Sequence, residues 1–176
     1  MIKSLISIVI IVLTAFCVFV ATQPGDFRIS RSLDMEASPE SIFAEVNDFH
    51  RWNAWSPWAR LDPNAKTTFE GPDKGKGAIM RWAGNSDVGE GSMTIIESIP
   101  NEKIVIKLDF IKPMQGSNTV EFSFLPNDNK TTDVTWSMYG YNNFMAKAIS
   151  LIFNCEKMVG GMYEKGLANL KTIVEK

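Results

Sequence analysis

The residues that could do chemistry are few. His50 is the only histidine in the 176-residue chain, and it stands in the polar stretch "NDFHRWN". Nucleophilic catalysis of the Ser-His-Asp kind would have to use that one ring, and a surface role suits its neighbours better. Cys17 and Cys155 lie too far apart in sequence and setting to suggest a disulfide, and no His or Cys spacing suits a metal. That leaves Arg81, Glu97, Asp109, Tyr139 and Tyr141 as polar groups that could reach an enclosed space. Alternation along their strands turns Arg81 and Asp109 outward. Glu97 shares a face with Met93 and Ile95, and which face of that strand is buried stays open. A carboxylic acid in an apolar chamber would hold its proton to higher pH and could act as acid or base. Glu97 is thus the one weak catalytic candidate. No catalytic set, metal site or cofactor is expected.

The elements around these residues are mostly strands. "FRISRSLDM" alternates apolar and polar. "SPESIFAEVNDF" reads as a short helix with Ser38 as N-cap and Pro39 in the first turn. A further turn or two is expected from Phe49 to Trp55, stopped by Pro57. From Lys66 onward, strands follow one another, separated by turns. Glycine-rich "GPDKGKG" precedes a strand, where a phosphate loop would precede a helix, so it reads as a hairpin turn. The inward stripes supply Met80 and Trp82, then Phe110, then Phe122 and Phe124, then Trp136 and Met138. Strict alternation over consecutive strands describes an antiparallel sheet with one buried face. The chain ends in a long helix with an apolar stripe from Met145 to Ile173, and Gly160-Gly161 predicts a kink or a division into two helices.

"WNAWSPW" places Trp52, Trp55 and Trp58 within seven residues. These rings could close one end of a curved sheet as core, face a cavity, or touch a membrane; Trp55 is counted among the candidate ligand contacts. The order of elements, with "SPESIFAEVNDFHRWNAWSPW", "FEGPDKGKGAIMRWAGN", "GEGSMTIIESIPNEKI" and "KMVGGMYEKGLANLK", resembles the START-like (SRPBCC) superfamily in its polyketide cyclase/dehydrase-like branch. The resemblance covers nearly everything after Pro24. It implies an α+β helix-grip fold: a curved antiparallel sheet of about six to seven strands wrapped on a long C-terminal helix, with an apolar cavity between them. It implies no particular reaction. If the cavity exists, Trp55, Met80, Trp82, Phe110, Phe122, Phe124, Trp136 and Met138 are the residues expected to line it.

Leu5 to Ala21 contains no charge and, as helix, reaches about 25 Å. A cleaved signal peptide needs small residues at −3 and −1 of the cut, and with Ala21 at −1 the bulky Phe19 stands at −3. An uncleaved single-pass anchor is therefore expected over residues 1–25, with the helix-grip domain at 26–176. Lys3 on one side and Arg28 and Arg31 on the other give a weak orientation bias; a short head of this kind usually leaves the domain on the extracytoplasmic side. With Lys3 set aside, 17 basic residues face 20 acidic ones. That balance argues against nucleic acid and against electrostatic docking on anionic lipid. The expected function is a membrane-tethered, monomeric binding domain for a lipid or other apolar small molecule. The alternatives are a cyclase- or dehydratase-type enzyme on the same fold and a structural envelope protein without a ligand.

Overall fold

The structure is a computed structural model that describes residues 2–176. Helix α1 spans Ile2–Thr22 and is long and apolar enough, by length and composition, to cross a membrane. After three intervening residues comes β1, Asp26–Met35. Helix α2, Pro39–Val46, starts as its sequence demands: the Ser38 side chain accepts from the Ser41 amide, and Ile42, Phe43 and Val46 turn inward. Two 3-10 turns follow, Phe49–Ala54 and Pro57–Arg60; Pro57 ends the first by opening the second.

Six strands follow: β2 (Lys66–Glu70), β3 (Ile79–Ala83), β4 (Glu90–Ile99), β5 (Lys103–Lys112), β6 (Gly116–Pro126) and β7 (Thr132–Tyr141). They form one antiparallel sheet in the order β1-β7-β6-β5-β4-β3-β2, so the first strand closes against the last. The inner face carries the core, from Ile104, Phe122 and Trp136 to Leu167 and Leu170 of the last helix. The fold is thus the α+β helix-grip arrangement.

The chain ends in two helices, α3 (Phe144–Ile152) and α4 (Cys155–Val174). No division falls at Gly160-Gly161, across which α4 runs unbroken. The break falls at Phe153, whose backbone is extended, and Asn154 caps α4 by accepting from the Lys157 amide. Gly160 serves close approach instead: a methyl group there would overlap the Arg31 guanidinium, which pairs with Glu156 and Glu164 and ties α4 to β1. At Gly166 a β-carbon would come within 2.6 Å of the Trp136 ring, so this glycine lets α4 lie on the sheet.

The direction of each strand assigns every connection to one of two ends. At one end lie α2, the β2–β3 hairpin and the β4–β5 and β6–β7 turns. At the other lie α1, the start of β1, the β3–β4 loop, the β5–β6 turn, the end of β7 and α3.

Candidate functional site

Between the sheet and α4 lies a cavity of about 580 Å³. That volume is within the range of small-molecule sites, roughly 300–1,000 Å³. Its wall is built from positions on six strands, Thr67 of β2 among them, and from α4. Met80 and Trp82 come from β3, Met93 from β4, Leu108 and Phe110 from β5, and Val120 from β6. Trp136 and Met138 come from β7, and Val159 and Tyr163 from α4. Register explains the convergence: Met80 stands opposite Met93, Met93 opposite Leu108, and Val120 opposite Met138. Three methionines in one wall give a surface that can adapt to an irregular guest.

Of the expected lining residues, Met80, Trp82, Phe110, Trp136 and Met138 border this cavity. Trp55, Phe122 and Phe124 do not. Trp55 and Phe122 are fully buried and Phe124 nearly so, all of them in the core that closes the α2 end. Trp55 packs edge-on against Trp136 with centroids 5.6 Å apart, and its indole N–H reaches the Glu45 carbonyl at 3.4 Å. Phe122 stacks on Trp136 at 4.8 Å, and Phe124 meets Phe43 at 5.8 Å. Of the tryptophan cluster, Trp52 and Trp58 touch the cavity instead. Trp52 donates to the Val46 carbonyl at 2.9 Å, which fixes its ring beneath α2.

Glu97 lies outside the cavity. Ile95 pairs with Ile106 and Glu97 with Val105, so Ile96 is an extra residue in β4, a bulge. The extra residue reverses the alternation. Met93 and Ile95 face inward, while Glu97 faces out, half-exposed, 3.1 Å from Lys103 Nζ. Arg81 and Asp109 also face out, paired with Glu70 and Lys107. Tyr139 is on the outer face as well, donating to Glu121 at 3.1 Å. Burial, then the Glu121 charge, pushes its pKa up. Tyr141 is exposed, and His50 stacks on Phe69 at the surface with Nδ1 2.9 Å from Asp48.

The tyrosine that does reach the cavity is Tyr163, which sequence reasoning missed. Its ring stacks on Trp136, centroids 4.1 Å apart and nearly parallel. Burial pushes its hydroxyl pKa well above the ordinary value; the nearby Trp136 indole opposes this weakly. That N–H makes no hydrogen bond of normal geometry, and Trp136 Nε1 is a buried polar atom without a partner. The signal for Tyr163 was present: it is one helical turn from Val159 and three residues before Gly166, on the buried face of α4.

Asn53, the buried Ser56 and Thr67 are further polar residues of the wall. The charged ones lie at the α1 end: Asp62 and Asp87, with Ser86, on loops, and Lys112 at the end of β5. Two of these loops are clipped together, as the Asn85 amide donates to Asp62 Oδ2 at 2.7 Å. Trp82 Nε1 donates to the Val88 carbonyl at 2.9 Å, holding the β3–β4 loop over the cavity. No group of three or more His, Cys, Asp or Glu side chains that could hold a metal occurs among the described residues.

Residues 26–175 match the family model described as polyketide cyclase/dehydrase and lipid transport. The chain belongs to this family. No curated protein matches the sequence. Among solved structures, a Nitrosospira multiformis protein superposes with a TM-score of 0.59 at 21% identity, covering 84% of this chain and 96% of its own. A Thermobifida fusca protein gives 0.61 at 18%, covering 82% and 90%. The Aha1 dimer from Colwellia psychrerythraea gives 0.60 at 16%, covering 85% and 96%. At these identities the likeness shows the fold alone. Family membership brings small-molecule or lipid binding as its common theme, and the reaction or cargo of this member has to be argued from its own cavity.

Proposed function

We propose that this protein holds a lipid or other apolar small molecule in the cavity between its sheet and α4, and that α1 tethers it to a membrane as a single-pass anchor. On this reading residues 1–25 are anchor and linker, and residues 26–176 are the binding domain, acting as a monomer on the extracytoplasmic side. The observation that carries the reading is the wall itself. It is about 580 Å³ of space lined by Met80, Met93, Phe110 and Met138, with charges at the rim only. Such a wall returns apolar surface to a guest and offers no convergent acid, base and nucleophile. A guest would displace poorly bound water from apolar surface, which is favourable at about 25 cal/mol per Å².

Native mass spectrometry of the full-length protein extracted from its own membrane tests this. A co-purifying apolar molecule, displaced by a fluorescent fatty acid that then brightens and shifts tryptophan emission, is the expected result. A protein that carries nothing and takes up no apolar probe overturns the reading and leaves a structural role.

A further inference from the structure

We propose that the α1 end of the sheet is a membrane-docking face, with α3 lying in the interfacial layer of the bilayer and the cavity mouth opening onto it. This rests on the reading of α1 as a membrane span.

Strand direction alone brings α1, α3, the β3–β4 loop and the β5–β6 turn to one end, and the last two border the cavity through Val88, Gly89, Lys112 and Pro113. The position of α3 relative to α1 is pinned. The two helices pack together, Lys147 Nζ donates to the Gln23 carbonyl at 2.7 Å, and the Asn142 amide donates to Gly25 at 2.8 Å. Gln23 directly follows the last residue of α1. If α1 crosses the bilayer, α3 therefore sits where the chain leaves the hydrocarbon.

At that level α3 displays what an interfacial helix displays. None of its residues is buried, although "FMAKAISLIF" holds one charge and no carboxylate. Met145, Ile152 and Phe153 are about 60–70% exposed, as is Met158 at the start of α4, and Val159 beside it lines the cavity. Met114, in the β5–β6 turn beside the cavity-lining Pro113, is 42% exposed. A contiguous apolar surface of this kind is rare on a protein that meets only water. The single cation, Lys147, is turned back onto the end of α1, leaving the rest of α3 without charge. A second copy of the chain is a poorer occupant, because the bilayer already begins where α1 ends. Apolar side chains seated about 5–10 Å into the headgroup boundary would hide this surface. The same seating would let a guest pass from lipid to cavity without crossing water.

The test uses the full-length protein in phosphatidylcholine vesicles, with Cys17 and Cys155 replaced by Ser and one new cysteine carrying an environment-sensitive dye. The labelled variants are Ile152→Cys, Met114→Cys and, at the opposite end, Asp128→Cys; Leu151→Cys replaces the first if its label unfolds the protein. With spin-labelled quencher lipids in the bilayer, the dyes at 152 and 114 should be quenched at least twofold more than the dye at 128. Alkaline carbonate washing reports on α1 separately. Protein retained in the membrane with all three dyes quenched alike overturns the docking face and leaves the anchor standing. Release of the protein by carbonate overturns the anchor, and the docking face with it.

Discussion

The two ends of the sheet are made from similar residues and do opposite things with them. At the α2 end Phe49, Trp52 and Trp55 are almost wholly out of water, and both indole N–H groups of the pair Trp52–Trp55 reach backbone carbonyls. Asn47 adds two clips, accepting from Ser98 at 2.8 Å and, through its carbonyl, from the Gly75 amide at 2.9 Å. At the α1 end Met145, Ile152, Phe153 and Met114 stay in contact with solvent, and the cavity reaches this end at Val88, Gly89 and Pro113. Apolar residues thus stabilise the fold at one end, where the indole N–H groups of Trp52 and Trp55 both find carbonyls. At the other they leave surface and space that the fold does not use. A domain can keep such a cavity only if the opposite end is rigid enough to hold the sheet's curvature without it.

Breaking the closed end should cost most. Trp55→Ala removes a fully buried ring and should lower stability by about 3–5 kcal/mol in urea unfolding. A loss below about 1 kcal/mol would mean that the α2 end is not the structural one. The cavity should respond in binding and not in folding. Phe110→Glu puts an unpaired carboxylate into the wall and should weaken an apolar fluorescent probe about a hundredfold while the unfolding midpoint moves little.

Next comes the contact that joins the two ends through α4. Gly166→Ala forces a methyl group against the Trp136 ring and should destabilise by about 1–3 kcal/mol. Tyr163 offers a pH signature of the same region. Its pKa is raised on folding, so its contribution is fully present below the unfolded value, near about 10, and is lost as pH climbs through the folded one. Stability should therefore fall with a slope of up to about 1.4 kcal/mol per pH unit in that alkaline window, and Tyr163→Phe should remove that part of the slope. The smallest effect should be a gain. Gly161 lies within α4 with open space where its β-carbon would be, so Gly161→Ala should stabilise by about 0.5–1 kcal/mol. If it instead slows ligand exchange without stabilising, the helix bends there after all.

Much of this protein follows from local pattern. Alternation in β3 and in β5 to β7 identified the inward face, and Ser38, Pro39 and the GPDKGKG turn behave as their side chains and backbones require. These signals act over a few residues, so a sequence carries them unaided. Period-two alternation says which way a side chain points but not how far along the sheet a plug reaches. Phe122, Phe124 and Trp136 share one face, yet Phe124 is sealed under Phe43, and only Trp136 borders the cavity. That division depends on where α2 and the first 3-10 turn come to rest, which involves residues some eighty positions away. The bulge at Ile96 turned Glu97 outward, and it shows only in the pairing of β4 with β5. Gly160-Gly161 read locally as a break in the helix, and only the arrival of Arg31 from the sheet makes Gly160 a contact point, while Gly161 touches nothing. The meeting of α3 with α1 is likewise a product of the closed fold. It arises because β7 ends where β1 begins, and no stretch of residues shorter than the whole chain specifies that.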